Sequence, residues 1–273
     1  MSKRLLGLIL VLPALATITL LFIVPLAASV VGAFEVEGRY GLGNFDKAFA
    51  LYSQDILFTV VIVSLSTAII GLVAIAIGGY LTLGENPLAV AILRWLYRWP
   101  LFIPFIVVGQ VLRTFLAKNG MMNNTLVSLG VLTPLETTSF LDWRGIVIAF
   151  VWKQAPFVAL LVSGAMASLD RGTIEAARNL GASRLRILIE IVVPQVATTL
   201  VVGLVLSFVT MMSVLSVPLM INAQSPTMIT ADIAFRLNAY RDYGVANALG
   251  LISLLITASV AWIYLRHNVR SRA

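Results

Sequence analysis

At 273 residues, with 60% hydrophobic and 11% charged side chains and a mean hydropathy of +0.99, the chain lies far outside the composition of soluble domains and belongs in a bilayer. Zero cysteines and a lone histidine, His267, exclude disulfide frameworks, thiolate metal sites and histidine-cluster metal centres. The formal charge of +7 does not point to nucleic acid, because the basic residues stand at the ends of apolar segments rather than along one soluble face.

In chain order, the first apolar segment is Leu5–Phe34, uncharged throughout and preceded by Lys3 and Arg4. A cleavable signal needs an apolar core of only about 7–15 residues, so this reads as a retained span. The short polar stretch Gly41-Leu-Gly-Asn-Phe-Asp-Lys-Ala-Phe49 follows, then a second span at Ile56–Leu83 with a small-xxx-small pair, Ala74 and Gly78. The third, Leu101–Leu116, is short and must borrow from Leu88–Trp99, with Arg94 and Arg98 snorkelling to the headgroups. The loop Ala117–Arg144 carries turn chemistry at Asn119–Gly120 and Pro134, and its Asn123-Asn124-Thr125 matches a sequon of a kind that occurs often by chance. Further spans are expected at Gly145–Ser168, Val196–Met220 and Val245–Leu265. The fold expected is an all-α polytopic membrane protein with about six transmembrane helices.

Six spans put both termini on one side. Lys3, Arg4, Arg94, Arg98, Arg171, Arg178, Arg184, Arg186, Arg266, Arg270 and Arg272 fall on that side. The opposite loops hold Arg39, Lys47, Lys118, Arg144, Arg236 and Arg241, mixed with eight acids that include Asp55 and Asp232. The positive-inside rule therefore puts both termini in the cytoplasm.

Between the fourth and fifth spans lies a polar stretch with its own capping chemistry. Asp170 can accept from the orphan amides of a short helix starting at Arg171, and Gly181 suits the left-handed residue that ends it. Ser183 can cap a second helix running through Ile187 towards Pro194. The local chemistry predicts helix, tight turn, helix at the membrane's inner face. Ala176, Ala177 and Leu180 form a small, shallow side, with Glu175 beside them as a specific charge.

Residues Glu175 to Pro194 read EAARNLGASRLRILIEIVVP. This stretch resembles the EAA signature of the permease subunits of type I binding-protein-dependent ABC importers. That signature is Glu-Ala-Ala, three residues, Gly, nine residues, then Ile-x-Leu-Pro. It falls on Glu175, Ala176, Ala177, Gly181, Ile191 and Pro194, and departs only at Val193. The Gly41, Asn44, Phe45 pattern is similar to a shorter stretch common in the same permeases.

The resemblance implies a single permease domain over 1–273 in a bacterial-type inner membrane, with a coupling loop at about 169–194 that docks on a cytoplasmic ATPase dimer. Glu175, Ala176, Ala177, Gly181, Ile191 and Pro194 are the ATPase-coupling residues it assigns. It further implies a second permease subunit, identical or homologous, an extracytoplasmic substrate-binding protein and surrounding lipid, without nucleic acid. No G-x-x-x-x-G-K-[ST] occurs in the chain, so nucleotide phosphates are not cradled in the P-loop manner here. No catalytic residue, metal site or cofactor is expected on this chain, and ATP and Mg belong to the partner.

Candidate residues for the substrate pathway are Lys153, Thr210, Ser213 and Asn247. Small polar residues are common glue between membrane helices, so packing competes with pathway lining for the hydroxyls and Asn247. In the sixth span Asn247, Gly250, Ser253 and Thr257 share one face, which should point into protein. In the fifth, residues stepping by three cannot all line one surface, and some must bond back to their own helix. Lys153, in Val-Trp-Lys-Gln-Ala-Pro-Phe157, needs water or a partner at membrane depth, where an unsolvated charge costs roughly 3 kcal/mol or more. Its two readings are a structural role near the outer interface and a place on the solute route. Arg113 lies close enough to the outer end to snorkel.

The rival classes are a secondary transporter or channel, which would need intramembrane acids that the proposed spans lack centrally, and a membrane-embedded enzyme, which would need a Cys, a His pair or an acid pair there. The solute expected is small and polar or charged. The wording of the Glu-Ala-Ala loop favours the polyamine, phosphonate and iron branch, with sugars next.

Overall fold

The computed structural model describes residues 3–222 and 224–270, and Arg272 lies outside them. Two compact units are present, one made of residues 1–53 and 232–256, the other of 54–231 and 257–273.

In the first unit, α1 (Lys3–Ile18) and α2 (Val24–Phe34) are joined through a π-helical turn at Thr19–Ile23. A two-residue hairpin follows, β1 (Glu35–Val36) paired antiparallel with β2 (Arg39–Tyr40). Glu37 and Gly38 at its tip both have positive φ, 51° and 76°, as a primed hairpin turn requires. Asn44 then donates to the Ala33 and Glu35 carbonyls at 3.1 and 2.9 Å, meeting groups that the end of α2 leaves open. A Cβ at position 244 would stand 2.7 Å from the Asn44 amide, so Gly244 admits that side chain. The Asn of the Gly41–Phe49 stretch thus fastens the exit of the first span.

The helix α3 (Gly43–Leu83) crosses from the first unit into the second and is much longer than the expected Ile56–Leu83 span. Its first turns are amphipathic helix rather than loop, because Asn44, Ala48 and Tyr52 recur at helical spacing and are buried, and Asp55 and Thr59 continue that face. Downstream come α4 (Pro87–Leu96), a 3-10 turn at Trp99–Phe102, α5 (Phe105–Leu116), α6 (Met121–Ser128) and α7 (Trp143–Ala167). The polar loop supplies α8 (Arg171–Asn179) and α9 (Arg184–Ile187), which continues through a π turn at Leu188–Val192 into α10 (Val193–Ser213). After α11 (Ser216–Ile221), α12 (Ile229–Phe235) and a further π turn at Arg236–Tyr240, the last described element is α13 (Tyr243–Arg270).

Five of these stretches are long and apolar enough to cross a membrane: Leu10–Phe34, Gly43–Leu83, Trp143–Ala167, Arg184–Ser213 and Tyr243–Ile263. Among the described residues, the bent pair Pro87–Phe102 and Phe105–Ser128, whose halves meet at 105°, is apolar enough to make a sixth when its two halves are taken as one span. The chain is an all-α polytopic membrane protein, but two expected spans are corrected: the third is broken, and the fifth starts at Arg184 and stops at Ser213 rather than running to Met220.

Proline explains these departures. A proline withholds the N–H that the carbonyl four residues earlier would receive, and its ring crowds that carbonyl. At Pro25 and Pro194 the helix absorbs the loss with a π turn, in which Val24 N–H reaches Thr19 O and Val193 N–H reaches Leu188 O. At Pro104 and Pro218 the helix breaks instead. The carbonyls concerned are those of Pro100 and Val214, and the latter accepts from Thr230 Oγ1 at 3.0 Å.

In the second unit α7 is the central helix, with residues such as Ile146, Phe150, Val158 and Val162 fully or nearly fully buried. Small residues let its neighbours close in. A Cβ at Gly203 of α10 would meet Val158 and Leu161 at 3.3 Å, and one at Gly78 of α3 would meet Met166 Sδ at 3.0 Å. Ala74, fully buried one turn before Gly78, completes the small pair read from the sequence.

Candidate functional site

The polar loop is built almost wholly from contacts within itself. Asp170 accepts from Gly172 N at 3.0 Å and from Thr173 Oγ1 at 3.1 Å, capping α8. The Gly172 amide first, then the Thr173 hydroxyl, hold the Asp170 carboxyl below the usual carboxylate range. At the other end Gly181 N bonds Arg178 O at 3.0 Å and Ala182 N bonds Ala177 O at 3.1 Å, with Gly181 at φ +81°. That paired closure is a Schellman motif. Ser183 Oγ accepts from Arg186 N at 3.3 Å and caps α9.

Two anchors fix the loop to the body. Ile187 and Val192 are buried, and Arg184 forms an ion pair with Glu85, just beyond the end of α3. Among the residues singled out by the signature, Glu175 and Ala176 are exposed, Ala177 and Ile191 are half-buried, and Pro194 opens α10 on an exposed position. No residue of α8 is buried, and Leu180 beyond its end is 89% exposed. Ala176 and Leu180, four residues apart, therefore lie together as an uncovered apolar step with Glu175 adjoining it.

The break in the third span is where the structure places Lys153. This residue lies ten positions into α7, roughly 15 Å along its axis. Its Nζ donates to Pro100 O at 2.8 Å and Leu101 O at 3.0 Å and stands 5.6 Å from the Phe105 ring centroid. Pro100 O is the carbonyl that Pro104 leaves without its α-helical donor, and it also receives Ile103 N at 3.3 Å. The lysine thus supplies donors where backbone has been opened inside the membrane region. Arg113 does the same on a smaller scale, donating to Met220 O at 3.1 Å in the last turn of α11.

The remaining pathway candidates separate. Asn247 accepts from Ser29 Oγ at 2.9 Å, binding α13 to α2, and a Cβ at Gly32 would come within 2.7 Å of its amide. Thr210 bonds back to Leu206 O, and Ser213 to Val209 O and Thr210 O, both on an exposed face of α10. Gly250, Ser253 and Thr257 share Asn247's half-buried state.

A cluster missed in the sequence sits three to four turns into α3. Asp55, read there as a loop acid, is only 3% exposed and accepts from Thr227 N at 2.6 Å and Ser225 Oγ at 3.2 Å. One turn on, Thr59 Oγ1 accepts from Ile229 N at 2.9 Å. The one available signal was the i, i+4 spacing of Asp55 and Thr59, which puts both on one helical face.

Residues 71–272 match the family described as binding-protein-dependent transport system inner membrane component. The chain belongs to that family. It is the permease subunit of a binding-protein-dependent ABC importer, a multi-pass inner-membrane protein. Among curated relatives, the sulfoquinovosyl glycerol transport system permease protein SmoG of Agrobacterium fabrum is 24% identical, the match covering 97% of this permease and 91% of that one. The spermidine/putrescine transport system permease protein PotB of Escherichia coli is 26% identical over 85% of this permease and 84% of that one. In fold, the permease is similar to a chain of a bacterial alginate ABC transporter crystallised with an alginate pentasaccharide-bound periplasmic protein, with a TM-score of 0.82, 19% identity and coverage of 96% and 93%.

Proposed function

We propose that α8 is the coupling helix, docking its Ala176–Leu180 step into a groove of a cytoplasmic ATPase subunit with Glu175 setting the register. The observation that carries this reading is a helix whose ends are fully capped yet which buries no residue of its own in the chain. Such a helix is preformed for a partner and loses little conformational freedom on docking. Gly181 holds the turn that aims it, while Ile191 and Pro194 lie on the continuous α9–α10 rod that carries its movement into the membrane.

In this reading both termini and the loop face the cytoplasm, and the two compact units serve one permease domain over 1–273. A second permease subunit, an ATPase dimer that binds ATP and Mg, and an extracytoplasmic binding protein complete the importer. The permease itself is not an enzyme. Closure of the ATPase dimer moves the coupling helices and exchanges inward and outward openings of the bundle.

For the solute, a saccharide-containing polar or charged molecule is favoured over a polyamine, reversing the order read from the loop wording. The relative named for a sulfosugar matches nearly the whole chain, and the polyamine relative matches less of it. Thr210 and Ser213, on the open face of α10, are the proposed pathway residues. Lys153 and Asn247 tie their helices to other segments, at Pro100 and Leu101 and at Ser29, which favours a supporting role, whereas Thr210 and Ser213 bond only within α10.

The test is reconstitution with the co-encoded ATPase and binding protein, followed by uptake and ATPase assays on Glu175→Lys and Gly181→Val. Charge reversal and loss of the left-handed turn should each cut uptake at least tenfold while membrane insertion persists. Unchanged uptake by both variants would remove the coupling assignment.

A further inference from the structure

Beside α8, between the end of α3, α4 and the end of α7, lies a cavity of about 610 Å³. Arg94, Arg98, Arg171 and Arg178 line it together with Glu85 and Glu175. Glu85 is engaged by Arg184. Among the described residues, none of the four lining arginines forms an ion pair. The cavity therefore carries a surplus of guanidinium donors, suited to a bidentate oxyanion such as a phosphate ester.

A neighbouring cleft tells more. Tyr97, buried and accepting from Arg98 Nε at 3.2 Å, lines this cavity and also a second cleft of about 540 Å³. That cleft is apolar, walled by Ile69, Val73, Ile77, Ile148 and Trp152. These residues belong to the spans α3 and α7, so whatever fills it sits at bilayer depth. A polar, cationic chamber and an apolar slot that share Tyr97 as a wall fit an amphiphile with an anionic head.

We propose that the arginine cavity and the cleft beyond Tyr97 together form a binding site for an anionic glycerophospholipid, its phosphate among Arg94, Arg98, Arg171 and Arg178 and an acyl chain along Ile69–Ile77. The site goes beyond the coupling assignment, although Arg171 and Arg178 stand on α8, so the bound headgroup would touch that helix directly. A soluble phosphate would use only the first chamber, and an apolar protein segment only the second.

The test uses the full-length permease, purified in neutral detergent, delipidated and titrated with dioleoyl phosphatidylglycerol or dioleoyl phosphatidylcholine under native mass spectrometry. Phosphatidylglycerol should bind at least tenfold more tightly. In Arg94→Gln/Arg98→Gln that preference should fall by about tenfold or more, since each lost cation near an anionic headgroup weakens binding severalfold. Arg94→Lys/Arg98→Lys should keep most of it, which separates loss of charge from misfolding. Ile148→Trp, filling the apolar slot from a partly exposed position, should weaken both lipids alike.

Equal affinity for the two lipids, or no change in the Gln variant, would overturn the proposal. So would full displacement of phosphatidylglycerol by millimolar inorganic phosphate, which would mark a free-anion site. Absence of any lipid adduct in all four proteins would overturn it as well and would leave a second permease copy as the occupant. The lipid test reads binding to the permease alone and the coupling test reads uptake with the ATPase present, so the coupling assignment and the lipid site fail separately.

Discussion

The polar loop between α7 and α10 and the bend in the third apolar stretch both interrupt helix, and they are stabilised in opposite ways. Between Asp170 and Ser183 the opened backbone groups meet partners within five residues, through an aspartate cap, a Schellman turn and a serine cap. At the bend before Pro104, the carbonyls of Pro100 and Leu101 are met by Lys153, more than fifty residues away on another helix. The first interruption is therefore self-contained and free to present a surface. The second is locked into the packing of α7, and removing one side chain should undo it.

The largest effect is thus expected from Lys153→Met. It leaves two carbonyls short of donors in the membrane region, where hydrogen bonds to a charged group are worth about 1.5–3 kcal/mol each. Thermal unfolding in detergent should show a loss of several degrees and poorer assembly, with Lys153→Arg retaining most of the stability. A Met variant as stable as the parent would show that the break supports itself.

Asp55→Ala should follow, at about 2 kcal/mol, because the buried Thr227 amide then lacks its acceptor. Hydrogen exchange at the Thr227 and Ile229 amides reads this directly. Faster exchange at Thr227 with Ile229 still protected by Thr59 is the expected pattern, and unchanged exchange at Thr227 would contradict it.

Gly181→Ala should cost only about 1–2 kcal/mol, since a Cβ there would touch nothing and the penalty is the left-handed backbone alone. Its effect on uptake should exceed its effect on unfolding, sharpening the distinction between a turn that aims a surface and a break that holds a core. Equal losses in both assays would erase that distinction.

The same contrast explains what could be read in advance. Asp170, Gly181 and Ser183 announce themselves because capping chemistry is a property of a few consecutive residues. Most of the long apolar helices were legible by length and composition for the same reason. The bend at Pro104, the stop at Val214 and the burial of Asp55 depend on donors or backbone brought from Lys153, Thr230 and Thr227, and no local rule signals them. Proline alone does not announce a break either, because Pro25 and Pro194 are absorbed by π turns.

The smallest effect concerns pH. The Asp170 carboxyl titrates below its usual range because the Gly172 amide and Thr173 hydroxyl favour its ionised form. Its cap on α8 therefore contributes above the unfolded carboxylate value of about 4 and is lost as pH falls through the lower folded value. Exchange of the Gly172 amide should rise selectively below about pH 4 relative to amides inside α7 once the intrinsic pH dependence is removed. Asp170→Asn should flatten that difference.

The central claim, that α8 is a preformed coupling surface, is tested most directly by cross-linking. The chain contains no native cysteine, so Ala176→Cys is a unique handle on the exposed step. Joined to a short bifunctional reagent in the reconstituted importer, it should link to the ATPase subunit in a yield that changes with ATP, and it should be shielded from impermeant label in intact cells. Labelling of Ala176→Cys from outside, with no link to the ATPase in any nucleotide state, would contradict the account.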